Sequence, residues 1–150
     1  MRSTAITRSA PLVAAALARL GTDHALVVHG RIGMDEIAPH GISDVWEVKA
    51  GDVTRWELDP ERYGLAVADV APLAGAAPAA NAARIEGLLD DGRHDVAGLA
   101  ALLLNAGAAI YVAGIADSYA DGVTRAREVV RAGKGRAALD RLRRATSTAG

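Results

Sequence analysis

The sequence has no cysteine and no phenylalanine in its 150 residues. Without cysteine there is no disulfide framework, no thiolate metal site and no thiol nucleophile. The only aromatic residues are Trp46, Trp56, Tyr63, Tyr111 and Tyr119, so the core must be built mainly from Ala, Val and Leu. Small side chains allow close helix packing but bury less area per residue. Excess charge of one sign is also missing: 17 basic and 18 acidic residues leave a net charge of −1. That balance argues against a broad nucleic-acid or anionic-membrane surface. No apolar run approaches the roughly 18 residues of a membrane helix. The longest candidate, Val96 to Ala113, is interrupted by Asn105 and by glycine. Met1 to Ala10 is too polar for a signal peptide, so a cytoplasmic protein is expected.

What is present is ordinary for a globular chain: 51% hydrophobic and 23% charged residues. A single domain over residues 1–150 is the simplest organisation. Ser9 and Pro11 suggest a helix start, with Leu12, Val13, Ala16, Leu17 and Leu20 as its apolar face and Gly21 as its stop. Ala25-Leu26-Val27-Val28-His29 is a short apolar run, expected to be a buried and parallel strand. A glycine-containing loop, Gly30 to Glu36, follows at once, at the strand end where open α/β sheets bind ligands. Asp44 to Val48 and Val53 to Leu58, separated by Ala50-Gly51-Asp52, predict a β-hairpin. Trp46 and Trp56 are expected near each other across it, as a stabilising cross-strand pair or as a stacking platform for an aromatic ligand.

Helical spacing resumes over Ala79 to Leu89, Val96 to Ala113, Tyr119 to Ala132 and Arg136 to Arg144. Asp95 is placed to cap the second of these and Gly133 to stop the third. Basic residues thicken from Arg125 to Arg144; interspersed acids suit a solvated helix face, and a phosphate- or partner-binding face is the alternative. The expected fold is therefore α/β: a truncated parallel or mixed sheet with a β-hairpin, flanked by helices, with a helical C-terminal half.

The motifs resemble those of the anthranilate phosphoribosyltransferase family. Ala25 to Ile37 is similar to that family's strand, His-Gly and acidic loop, ending here in Gly33-Met34-Asp35-Glu36. Glu57 to Leu65 is similar to its segment after the hairpin, Asn81-Ala82-Ala83 to a helix start, and Leu103 to Gly114 to its Asn-Ala helix. Gly122 to Ala126 and Gly133-Lys134 resemble its last helices, so the likeness runs from about Ser9 to Arg144. The resemblance implies the C-terminal part of an α/β domain. It also implies transfer of a phosphoribosyl group from phosphoribosyl pyrophosphate to anthranilate in tryptophan biosynthesis, with Mg²⁺ and usually as a homodimer. The sequence departs from the family pattern in having no Gly-Thr-Gly-Gly-Asp phosphate turn, no Lys-His-Gly-Asn loop and no N-terminal helical domain. It also has Gly75-Ala76-Ala77 where Gly-Gly-Asp sometimes stands.

The site residues follow from the same stretch. Adjacent carboxylates at Asp35 and Glu36 suit Mg²⁺, and the resemblance makes them ligands of a pyrophosphate-bound ion; a solvated acidic turn, or caps for a following short helix, is the alternative. His29 is a candidate acid, base or phosphate donor, or a buried structural residue; Arg31 and Gly33 are candidates beside the substrate. His24, His40 and His94 have no spacing that suggests a metal site. Asn105, unfavourable within a helix, is expected to hydrogen-bond a neighbouring loop. These residues are compatible with half of a phosphoribosyltransferase site that needs a partner chain. A repurposed homodimer that covers its own sheet edge and handles an aromatic small molecule is also compatible, and Met1 with an early helix suits such a stand-alone chain. A non-catalytic interaction module is a third possibility.

Overall fold

The computed structural model describes residues 3–147. Helix α1 (Ser3–Arg19) leads into strand β1 (His24–Gly30), then β2 (Ser43–Lys49) and β3 (Asp52–Leu58). Two short 3₁₀ turns, Pro60–Tyr63 and Ala71–Leu73, connect the sheet to α2 (Pro78–Asp90), α3 (Val96–Val112), α4 (Tyr119–Arg131) and α5 (Lys134–Ser147). The strand order is β1-β2-β3, and both pairings are antiparallel. The expected hairpin is present, and its turn residues Ala50 and Gly51 both have positive φ (51° and 87°). Such a two-residue turn matches the natural twist of paired strands. The expectation of a parallel β1 is corrected: β1 pairs antiparallel with β2, and the connection between them, residues 31–42, contains no crossover helix that would carry the chain back to the same end of the sheet.

The register also separates the two tryptophans. Trp46 lies opposite Arg55 and Trp56 opposite Val45, so they occupy opposite faces of the sheet. The expected Trp pair is thereby overturned, and with it the stacking platform, because side chains alternate along a strand. Trp46 joins Ala10, Ala14 and Val48 under α1, with Arg55 over its ring at 5.5 Å. Trp56 sits on the other face beside Tyr119, with ring centroids 5.9 Å apart. Helix α1 also differs from expectation. It begins before Ser9, with Pro11 inside it, and Gly21 ends it at φ 77°. Its buried face is Ala10, Ala14, Leu17 and Ala18, while Leu12, Val13 and Leu20 are exposed. Alanine lets the helix lie close on the strands, and that selects the small stripe over the large one.

The second face carries the main core, where Ile37, Val45, Leu58, Leu103, Leu104 and Val123 pack between the sheet, α3 and α4. Glu47 points into this face and accepts hydrogen bonds from Tyr111 Oη (2.7 Å) and Trp56 Nε1 (2.9 Å), with His24 Nε2 at 2.9 Å. Burial raises the carboxyl's pKa, but the bonds from Tyr111, His24 and Trp56 outweigh it and hold Glu47 below its ordinary value. Helices α3 and α4 meet backbone to backbone. A Cβ on Gly122 would lie 2.3 Å from the Gly107 carbonyl oxygen. The basic C-terminal run folds back on α2, with Arg136 3.1 Å from Glu86 and Arg143 bonded to the same carboxylate.

Gly122→Ala is therefore expected to push α4 off α3 and lower unfolding stability by about 1–3 kcal/mol, as overpacking does. Urea denaturation followed by circular dichroism checks this, and unchanged stability would mean that the helices do not cross at Gly107.

Candidate functional site

The acidic loop starts where β1 ends. Gly30 N–H donates to the Met34 carbonyl (2.9 Å) and Gly33 N–H to the Gly30 carbonyl (2.8 Å), so the chain turns back on the strand end. Gly33 holds φ 99°, which only glycine adopts readily. Gly30 is needed for space: a Cβ there would lie 2.9 Å from Ala38 Cβ.

Two clamps fix the far side of the loop. Asn105, from the middle of α3, accepts from Ile37 N–H and donates to the Ile37 carbonyl, both at 3.0 Å. Its amide also donates to the Ala101 carbonyl at 3.0 Å. Ser43, at the start of β2, accepts from Ala38 N–H at 3.0 Å. Ile37, Ala38 and Pro39 are buried, whereas Asp35 and Glu36 are exposed. The arrangement presents a pair of carboxylates on a loop whose two ends are held by hydrogen bonds. Among the described residues neither carboxylate has a cationic partner, and no group of three or more His, Asp or Glu converges around them. The donor chemistry fits Mg²⁺, which takes one or two protein carboxylates and completes its shell with water and phosphate oxygens.

The structure gives the other candidates different surroundings. His29 is buried, with Nδ1 3.2 Å from the Met34 carbonyl. A carbonyl only accepts, so Nδ1 carries the proton in that bond. Arg31 lies across the sheet, donating to Asp44 from Nε (3.1 Å) and Nη2 (2.8 Å), and it also bonds Glu57. Arg55 donates to the same Asp44 at 2.7 Å. Asp44 is buried and held down at about 2, first by the hydrogen bond from Arg31 and then by Arg55. His40 lies beyond the loop, 2.8 Å from the Val67 carbonyl. The loop thus gathers Asp35, Glu36, Gly33 and His29, while Arg31 is committed to carboxylates of the sheet.

Ser43 carries no sequence signal as a site support, because a serine at a strand start is common. Asn105 is legible as a polar residue in an apolar helix, but its target is not.

Two outcomes follow. Asn105→Ala leaves the Ile37 N–H and C=O without partners and is expected to cost about 2–3 kcal/mol. Amide exchange at Ile37 should speed up with it, and unaltered exchange would show that the clamp is not formed. Asp44 has a depressed folded-state pKa, so its stabilisation is full above its ordinary value of 3.8 and is lost as pH falls toward 2. Asp44→Asn should therefore lower stability by about 2 kcal/mol near neutrality, with the gap to the native chain closing between about pH 4 and 2. A gap independent of pH in acid titrations of stability would contradict the pairing.

Comparison with known proteins gives a consistent answer. The model of the family described as "Glycosyl transferase family, a/b domain" matches residues 3–136. The anthranilate phosphoribosyltransferase of Haloarcula marismortui is 44% identical over 134 residues, covering 88% of this chain and 38% of its own length. That of Laribacter hongkongensis is 41% identical over 126 residues, covering 84% of this chain and 36% of its own length. The crystal structure of anthranilate phosphoribosyltransferase from Thermus thermophilus superposes with a TM-score of 0.78 at 39% identity, over 89% of this chain and 39% of that one. The chain thus spans well under half the length of the relatives it matches. With its α/β fold, its acidic loop and this match in hand, the chain belongs to the glycosyl transferase family, within the a/b domain that anthranilate phosphoribosyltransferases share.

Proposed function

We propose that these residues form the metal-facing part of a phosphoribosyl-transfer site of the anthranilate phosphoribosyltransferase kind and do not complete the reaction alone. The observation that carries this reading is the acidic loop: Asp35 and Glu36 stand exposed on a segment clamped by Asn105 and Ser43. A related structure supports it in kind. The Saccharomyces cerevisiae anthranilate phosphoribosyltransferase, solved in complex with PRPP and Mg, has the same fold at a TM-score of 0.75 and 24% identity.

In this reading Asp35 and Glu36 hold Mg²⁺, which when bound neutralises charge on the departing pyrophosphate. Asn105, Ser43 and the turn at Gly30 keep the carboxylates in place, so little ordering is left to be done when ligand arrives. His29 holds the loop's inner side through the Met34 carbonyl. Arg31 neutralises Asp44 and Glu57, and its part in substrate binding would require giving up those bonds. The sequence has no glycine-rich turn to supply backbone N–H groups to the pyrophosphate. Positioning and electrostatic stabilisation from that turn must come from another chain or segment.

Isothermal titration with Mg²⁺ and phosphoribosyl pyrophosphate tests the reading. The chain is expected to bind them weakly, the heat to vanish in both Asp35→Ala and Glu36→Ala, and phosphoribosyl transfer to anthranilate to be undetectable. No binding by a well-folded native chain would sink the proposal.

A further inference from the structure

Helix α3 presents a second polar surrounding on the side away from the acidic loop. Asn105, which holds that loop, lies two residues beyond Leu103 and six beyond Leu99, about 200° and 240° around the helix from them. There Leu99 and Leu103 line a cavity of about 450 Å³. Helix α4 bounds it through Arg127, Val130 and Arg131, and the turn after α2 bounds it through Asp90, Asp91 and Arg93. A hollow of about 180 Å³ adjoins it along residues 64–67 and shares Leu99, Leu103 and Arg127. Gly92 lets the turn come this close: it is buried at φ 64°, and a Cβ there would lie 2.8 Å from Leu99 Cδ1. Every wall residue falls within 64–131, inside the stretch that the family model matches.

The charges around the cavity do not cancel. Asp91 is paired with Arg93 at 3.0 Å and Asp90 with Arg136 at 3.4 Å, so both carboxylates are taken. Arg127 is half-buried, and its bond from Nη2, at 2.6 Å, goes to a neutral acceptor, the Tyr63 carbonyl. Arg131 stands one turn further along the same face of α4. Among the described residues no carboxylate lies within ion-pair distance of either guanidinium. The last turn of a helix favours a cation, and that accounts for Arg131. It does not account for Arg127, which is a turn further in and partly withdrawn from water. A charge so placed without a counter-charge is costly.

We infer that this cavity is a binding site for a small carboxylic acid with an aliphatic body. The carboxylate takes the remaining N–H groups of Arg127, whose planar fork matches it at two points, with Arg131 beside it. The body lies on Leu99, Leu103 and Val130. The volume and the mixture of an apolar floor with a few convergent polar groups are those of a small-molecule site. A bare inorganic anion would leave the leucines uncovered, and a neutral apolar molecule would leave Arg127 without its counter-charge. No aromatic side chain lines either hollow, so the fit comes from aliphatic packing and not from ring stacking. The inference does not depend on what the acidic loop binds.

Titration of the full chain, followed by amide NMR, tests it. The probe is 4-methylpentanoate, with 4-methylpentan-1-ol as its neutral analogue and inorganic phosphate as a bare anion. The acid should give saturable shifts at millimolar concentration in residues 92–103 and 127–131 and none in residues 34–38. The alcohol and phosphate should bind about tenfold more weakly or worse. Arg127→Gln keeps a donor for the Tyr63 carbonyl but removes the charge. It should weaken the acid about tenfold and leave the alcohol unchanged, whereas a merely structural role would move both alike. Arg131→Gln, at an exposed position, should weaken the acid in the same direction and provides the test if the first variant fails to fold. Absence of saturable shifts around the cavity overturns the proposal, as does an alcohol or phosphate that binds as well as the acid. Equal affinity for the acid in the native chain and in each variant that folds overturns it too.

Discussion

The placement of the acidic loop rests first on the amide of Asn105, which joins it to α3. It reads both halves of the Ile37 peptide unit, accepting from the N–H and donating to the carbonyl, so it fixes the loop in orientation as well as in distance. A buried peptide group left unpaired is costly, and that cost disfavours other loop positions. The residue also satisfies the Ala101 carbonyl of its own helix, which explains how a poor helix former is tolerated mid-helix. Loop and helix are joined there, and Asp35 and Glu36 stand exposed beside the buried Ile37.

Much of this is readable in the sequence. The β-hairpin, the four C-terminal helices, the Asp95 cap and the glycine stops follow from local chemistry, and local chemistry survives folding. The family likeness follows from the order of several short motifs. What the sequence hides is non-local. The pairing direction of β1 depends on what lies beside it, and a short apolar run looks the same in either arrangement. Spacing alone brings the tryptophans together, but a hairpin register one residue out moves a side chain through the sheet. Side-chain size points to the wrong face of α1, because close approach to the strands favours Ala10, Ala14 and Ala18.

The site is legible in its ligands and opaque in its supports. Two adjacent acids after His-Gly stand out in any sequence, but Ser43 and Asn105 act through bonds to loop residues that their own strand and helix give no hint of. Arg31 shows the reverse error. Next to an acidic loop a lone arginine invites an anion, yet in the fold its anions are already present as Asp44 and Glu57. Charge on a loop has to be weighed against every carboxylate that the neighbouring strands bring within reach.

Tyr111 has a consequence beyond its bond to Glu47. It lies on the same helix as Asn105, six residues further on, which is about 9 Å along the axis and on a different side of it. One fixed point lets a rod pivot and spin, but two points at different heights and azimuths remove both freedoms. Helix α3 is thus located kinematically, like a shaft held by two keys, one cut into the loop and one into the sheet. Any motion of the acidic loop against the strands must first withdraw one of them.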